Sequence, residues 1–492
     1  MKKAQGLFVK KSIKSLLDEA QASQSGMKRS LGLTTLTAMG IGAIIGAGIF
    51  VLTGPAAALY TGPALLLSFV FAALICVFAA LCYAEFASLI PISGSAYTYA
   101  YATMGEFMAW IIGWGLTMEF MCSVSTVSVG WSAYLGSLLS DFGVSLPASI
   151  ASAPFSYDAL TGWAHTGSLI NLPAVFIVFL MGTLVAVGIR AAASFNNVMV
   201  VVKLVAIALF IGCGVAYIKW GNLTPFIPAN TGTFGEYGFS GILRGAGLVF
   251  FAFIGFDALS TMAQECKNPQ KHLPMGMIGS LGISTIIYML IAIVMLGVVS
   301  YSMLNVPDPV SVVIQALGPS FMWLRPVIKL AILAGLTSVI LVMILGQSRI
   351  FYTMAKDGLL SPKLSHISGK FQTPFNATVL VALICALLAG TFPVAILGQL
   401  TNMGALLAFA IVCFAILVLR YKQPTLHRPF KTPFVPWVPL AGTLICLVQM
   451  FAMPGVTWMQ FFIWMLLGCW IYFSYGIKHS KVRLLGANPK KK

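Results

Sequence analysis

Apolar residues in this chain do not alternate with polar ones. They gather into long blocks with few charges, at residues 32–60, 63–89, 105–139, 169–189, 194–218, 240–264, 276–300, 320–350, 376–392, 395–419, 434–453 and 457–477. A helix needs about 20 mostly apolar residues to cross the hydrocarbon core of a bilayer. The pattern predicts an all-α polytopic membrane protein of about 12 transmembrane helices, the longer ones tilted or projecting beyond the bilayer. Loops between blocks are short, the longest at about 140–168 and 349–374. The proline-rich run 428–439 resists helix formation and leads stiffly into the eleventh block.

Two blocks break their own pattern. In the first, glycines stand at 40, 42, 46 and 48. Glycine costs a helix interior about 0.8–1.0 kcal/mol relative to alanine. Backbone released at membrane depth persists only where it is buried in protein or lines a cavity. The block reads as an interrupted helix whose bare backbone faces a ligand. The sixth block carries Gly255 and Asp257 inside the apolar run 250–258. Each of these two blocks heads a set of five. Interrupted helices at matching positions of two halves point to the substrate site of an inverted-repeat transporter. The arrangement suits a zwitterion: free N–H groups at one half-helix start attract a carboxylate, and freed carbonyls accept an ammonium. A glycine-lined packing face accounts for the first block alone, but not for Gly255 and Asp257.

Composition and charge narrow the reading. Of 492 residues, 59% are hydrophobic and 8% charged, against about 25% charged in soluble domains. The net charge of +17 invites a nucleic-acid partner, but its placement does not. With the N-terminus inside, 24 of the 29 lysines and arginines fall on the cytoplasmic side, at residues 1–31, 190, 267–271, 349–370, 420–431 and 478–492. That is the positive-inside bias, and it predicts N-in and C-in with no nucleic-acid partner. No short apolar segment precedes a cleavage site, so no cleavable signal peptide is expected. Leu7, Phe8, Ile13, Leu16 and Leu17 mix with Lys10, Lys11 and Lys14, which suits either an amphipathic helix on anionic lipid or a solvated tail. The nine cysteines stand singly and match no zinc spacing. The five histidines lie in loops or at block ends, so no Ser/His/Asp constellation points to an enzyme. A channel would need a filter ring, which paired broken helices do not make.

Three charges lie inside blocks: Glu119, Lys203 and Asp257. Each costs about 2.5–3.5 kcal/mol at a helix centre on insertion scales, and such groups mark proton relays or ion paths when they face the interior. Lys203 reads as the proton-coupling residue, or as a tether onto carbonyls of block one. Asp257 contacts substrate or braces the unwound turn. Glu119 reads the substrate side chain or pairs with an unseen donor. Glu85 and Glu265, near block ends, read as gate or interface contacts.

Seven stretches together resemble the amino acid–polyamine–organocation superfamily, and within it the bacterial relatives of the cationic amino acid transporters. They are residues 10–17 (KKSIKSLL), 42–55 (GAIIGAGIFVLTGP), 83–99 (YAEFASLIPISGSAYTY), 251–257 (FAFIGFD), 265–274 (ECKNPQKHLP), 347–360 (QSRIFYTMAKDGLL) and 428–439 (RPFKTPFVPWVP). The resemblance implies a leucine-transporter-type fold: a cytoplasmic tail (1–30), inverted repeats (31–220 and 240–420), two further helices (434–478) and a basic tail (479–492). It implies a multi-pass protein of the cell (inner or plasma) membrane that takes up L-amino acids with protons as coupling ion and no other cofactor; an exchanger of the same fold is the alternative. By position it implies that backbone around Ile44, Ala47 and Gly48 holds the substrate carboxylate and that carbonyls of Phe251, Ala252 and Ile254 hold its ammonium. Lys203 would couple protons, Glu119 and Asp257 would border the substrate, Phe253 would gate, and residues 338–343 would face the lysine. Two departures matter. Ala47 stands where many relatives carry a hydroxyl. Ile340 and Met343 argue for a neutral substrate side chain while Glu119 argues for a cationic one, and both classes stand.

Overall fold

The computed structural model describes residues 6–13, 15–16, 29–46, 48–158, 162–306 and 308–487. Among these, eight helical stretches are long and apolar enough to cross a membrane: Leu33–Leu89, Glu106–Asp141, Ile189–Val215, Gly238–Glu265, Pro269–Val298, Leu324–Lys356, Val394–Lys422 and Gly455–Leu484. Three shorter apolar helices accompany them. We number the principal helices α1 (Leu33–Ile44), α2 (Leu65–Leu89), α3 (Glu106–Asp141), α4 (Leu172–Val187), α5 (Ile189–Val215), α6 (Gly238–Val249), α7 (Pro269–Val298), α8 (Leu324–Lys356), α9 (Phe375–Thr391), α10 (Val394–Lys422), α11 (Trp437–Phe451) and α12 (Gly455–Ile471). A short hairpin, Phe155–Asp158 against Gly162–His165, sits in the loop after α3, with Phe155 opposite His165.

Hydropathy placed some ends wrongly. It starts the seventh block at 276, whereas α7 begins at Pro269. Proline suits the first helical position, where its missing N–H is no loss, and the polar turn that follows is helical without being apolar. Likewise α8 runs to Lys356. Arg349, assigned above to an inner loop, is therefore a helix residue, and it is fully buried.

The centre of the bundle is α3 and α8, which pack extensively on each other, while α10 covers α3. Lipid gives helices no hydrophobic reason to associate, so close approach through small residues matters more. A Cβ on Gly346 of α8 would lie 2.6 Å from the Phe120 ring of α3, and one on Gly182 of α4 would lie 2.8 Å from Ala382 of α9. Large apolar side chains point outward instead, among them Phe176, Phe179, Leu383, Leu387, Phe462 and Leu466.

The basic end of the bundle is fastened by carboxylates. Arg349 of α8 donates to Glu265 at 2.7 Å, both buried. Glu85 of α2 takes Arg420 at 2.8 Å and Arg428 at 3.0 Å. Glu106, at the start of α3, accepts from Tyr101 at 2.7 Å, Tyr472 at 2.9 Å and Arg483 at 2.6 Å. Segment 6–12 runs along this end without helix. The amides of Glu106 and Phe107 donate to the carbonyls of Val9 and Leu7 at 2.9 and 3.2 Å. Lys10 donates to the Thr103 carbonyl and Lys11 to Asp357. These two lysines, expected either at a lipid surface or in a solvated tail, turn into the protein. Lys14 and Leu17 lie outside the described residues. Asp357 also accepts from Tyr97 at 2.7 Å, and its carbonyl takes the Lys481 amide at 3.0 Å. At the opposite end Lys329 of α8 pairs with Asp141 of α3 at 2.6 Å.

Candidate functional site

Both expected interruptions are present. The helix of α1 stops at Ile44; Ile45 and Gly46 are bent, and a π-helical turn runs over Gly48–Leu52. After α6 the chain tightens to a 3-10 turn, Phe250–Phe253, then breaks. Ile254 is extended and Gly255 has φ of 128°, in the region that favours glycine, before a second 3-10 stretch, Phe256–Glu265. The two breaks meet. A Cβ on Gly48 would lie 2.3 Å from the Cα of Ala252, and one on Gly255 would lie 2.9 Å from the Cβ of Ala43. No side chain fits between these backbones, which is the local reason for glycine at both positions.

Side chains from other helices hold the first break. Lys203 of α5 is buried, and its ammonium donates to the carbonyls of Ile41 (3.1 Å), Gly42 (3.1 Å) and Ile45 (2.9 Å) and to the Ser338 hydroxyl of α8 (3.0 Å). An ammonium has three protons, so one of these bonds is shared. Ser338 itself lies 3.0 Å from the Gly42 carbonyl and donates at 2.7 Å to Gly335. The Tyr134 hydroxyl of α3 donates to Phe50 at 2.9 Å. Tyr288 of α7 bridges the breaks, its hydroxyl 2.7 Å from the carbonyls of both Ile44 and Ala252.

The remaining expected residues distribute as follows. Ile44 and Gly48 flank the first break; Ala47 lies outside the described residues. Phe251, Ala252 and Ile254 are buried at the second break. Phe253 packs edge-on against Tyr288 at 5.2 Å and Phe69 at 6.1 Å between centroids, within the α2–α7 packing. Glu119 is buried in the middle of α3, where a Cβ on Gly404 of α10 would lie 2.9 Å from its Cβ. Asp257 is buried in the first turn after the second break. Neither carboxylate has a side-chain hydrogen-bond donor among the described residues. A carboxylate in such surroundings needs a proton, a ligand or water to be tolerated. Ile340 and Met343 of α8 are buried, and a Cβ on Gly46 would lie 2.6 Å from the Val339 side chain, so α8 meets the first break with apolar Val339 as well as with the Ser338 hydroxyl.

Tyr288 was not singled out from the sequence. Its signal was a phenol within an apolar helix, since a buried Tyr hydroxyl usually finds a partner. The Arg349–Glu265 pair was half visible: the acid was read as an interface group, but its partner was assigned to a loop.

The sequence profile described as amino acid permease matches residues 31–474. The chain belongs to this family. It is therefore a multi-pass membrane transporter of the amino acid–polyamine–organocation superfamily and not an enzyme. Among similar proteins, the branched-chain amino acid permease BcaP of Bacillus subtilis is 46% identical over 97% of this chain and 99% of its own length. The methylthioribose transporter of the same organism is 41% identical over 96% of this chain and 98% of its own length. The vacuolar cationic amino acid transporter 4 of Arabidopsis thaliana is 34% identical over 81% of this chain, which spans 64% of that relative.

Proposed function

We propose that this permease imports neutral L-amino acids with branched aliphatic side chains, coupled to protons, by alternating access at the paired breaks. The observation that carries the reading is Lys203, whose ammonium grips the carbonyls of Ile41, Gly42 and Ile45 next to the first break. When charged it braces that break; when neutral it offers fewer donors and the break is freer to move. Proton binding and the shape of the substrate site are thereby linked through one side chain. The carboxylate is assigned to free amides near Gly48 and the ammonium to carbonyls of the second break.

A neutral side chain is favoured by the apolar α8 surface at Val339, Ile340 and Met343 and by 46% identity to a branched-chain permease. Glu119 then serves as a second proton site or polar border rather than as the reader of a cationic side chain. A twelve-span, N-in/C-in topology is supported by the helices: the stretch Leu33–Leu89 covers two crossings, and three shorter helices join the long ones. Two inverted five-helix repeats are supported by packing, since α2 lies on α7, α3 on α8, α4 on α9, and the break after α1 on that after α6.

The test is uptake into proteoliposomes. Leu, Ile and Val should accumulate when the outside is acidic, with Arg and Lys at or near background. Lys203→Ala should lose pH-driven uptake while thermal-shift binding of Leu stays measurable, because a ligand of the folded state raises its stability. Full proton dependence in that variant would sink the coupling assignment. Preferential stabilisation by Arg and Lys would sink the substrate assignment. Stabilisation by methylthioribose but by no amino acid would move the chain to the reading favoured by its 41% identity to that transporter.

A further inference from the structure

Several cations at the basic end of the bundle are matched to carboxylates: Arg349 to Glu265, Arg420 and Arg428 to Glu85, Arg483 to Glu106. Three others converge on one place without one. Arg29, Arg190 and Lys267 line one recess of roughly 400 Å³, and among the described residues no acidic one lines it. None of the three forms an ion pair among the described residues. The recess lies between the start of α1, the start of α5 and the turn before α7, and Ser30, Thr35 and Asn197 contribute polar groups to its wall. The Ser30 hydroxyl and the Asn197 carbonyl oxygen are buried atoms with no partner.

The backbone adds to the same field. Helices α1 and α5 both begin at this recess, and neither has a side-chain cap on its first amides. A helix start carries a partial positive charge and unsatisfied N–H donors. Two helix starts and three unpaired cations therefore converge on one concave, solvent-open volume. Like charges held together without an acid repel one another, so the arrangement is at its most stable with an anion inside it. A basic surface patch that served only membrane topology would need neither the recess nor the convergence.

We infer that this recess is a binding site for a phosphate-bearing anion, separate from the transport site. Guanidinium groups match phosphate geometry through paired donors, and Lys267 supplies a mobile third contact. Basic pockets between membrane helices on the cytoplasmic side are suited to anionic lipid headgroups; a soluble phosphate ester presents the same chemistry. The site also has a mechanical setting. The Leu31 amide donates to the Glu265 carbonyl at 3.0 Å, and the Lys267 amide donates to the Leu31 carbonyl at 3.0 Å. An anion held by Arg29 and Lys267 reinforces that strand-like contact between the start of α1 and the turn before α7, and Arg190 brings in the start of α5.

The experiment uses purified full-length protein in phosphatidylcholine nanodiscs. Thermal stability is titrated with inorganic pyrophosphate in one arm and with increasing phosphatidylglycerol content in the other. A stabilisation saturating with phosphatidylglycerol alone identifies a lipid headgroup site. One saturating with pyrophosphate identifies a site open to soluble phosphates. Either supports the inference when the half-saturating concentration rises by about fivefold for each cation removed in Arg29→Gln, Arg190→Gln and Lys267→Gln, and when Lys219→Gln leaves it unchanged. No stabilisation in either arm overturns the inference, as does an equal shift in the triple variant. Unliganded melting temperatures of the variants, measured in pure phosphatidylcholine, separate lost binding from lost folding.

Discussion

The two interruptions are made of the same material and held in different ways. The first is fastened from outside: Lys203, Ser338, Tyr134 and Tyr288 reach carbonyls between Ile41 and Phe50 from four other helices. The second is fastened from within, by the turn through Gly255 and the bond from the Ile254 amide to Phe251 at 3.4 Å. Its single side-chain anchor from another helix, among the described residues, is Tyr288 on Ala252. Among the described residues, no donor from another helix reaches the carbonyls of Phe251, Phe253 or Ile254. A braced break and an unbraced one have different uses. Carbonyls already bonded to an ammonium are poor acceptors for a second one. We therefore propose that the substrate amino group binds at the second break, while the first contributes amides and responds to the state of Lys203.

That contrast can be broken at graded cost. The largest effect is expected from Gly48→Ala, because the added methyl meets backbone at Ala252 and not a yielding side chain. It should abolish uptake and lower stability by about 3 kcal/mol, the upper range for overpacking, as read by thermal unfolding and transport together. Next is Lys203→Met, which keeps the stem and strips donors from the first break. A loss of about 2 kcal/mol is expected from bared buried acceptors, with substrate affinity retained. If Lys203→Met and a variant at the second break lowered affinity equally, the division of labour would be wrong. Tyr288→Phe removes the one hydroxyl that, among the described residues, bonds to both breaks and should cost about 1 kcal/mol, slowing uptake more than it weakens equilibrium binding. The smallest effect is assigned to Glu119→Gln. Leu uptake should persist with a shifted pH profile, and a selective loss of cationic substrates would restore the reading of Glu119 as a side-chain sensor.

Much of this was visible before any coordinates. Glycines at 46 and 48 together with the Gly255-Phe256-Asp257 run announce broken helices, because a glycine-lined packing face accounts for the first group alone. Lys203 announces itself because a charge there demands partners. Its partners, carbonyls of the first block and the stretch 338–343, were expected and are found; what hydropathy could not reach was the pairing of Tyr288 and Arg349. Tyr288 sits in an apolar run where its ring looks like packing, and only the fold brings its hydroxyl to two carbonyls 244 and 36 positions away. Arg349 lowers the local hydropathy and so looked like the start of a loop, while its partner lies 84 positions away. Apolar periodicity reports which residues tolerate lipid. It carries no information on helix–helix register, which decides every polar contact in the interior.

Asp357 deserves a last consequence. It receives Lys11 from one side and the Lys481 amide from another, so segments 470 positions apart in the chain are seated on one residue. A polypeptide made and inserted from its N-terminus cannot complete that seat until nearly every helix has been delivered. The Lys11 anchor of the strap formed by residues 6–12 must wait for α8, and its closure by Lys481 must wait for α12. The joint thus marks late assembly, and protection of segment 6–12 from protease should report chains that have finished inserting and packing.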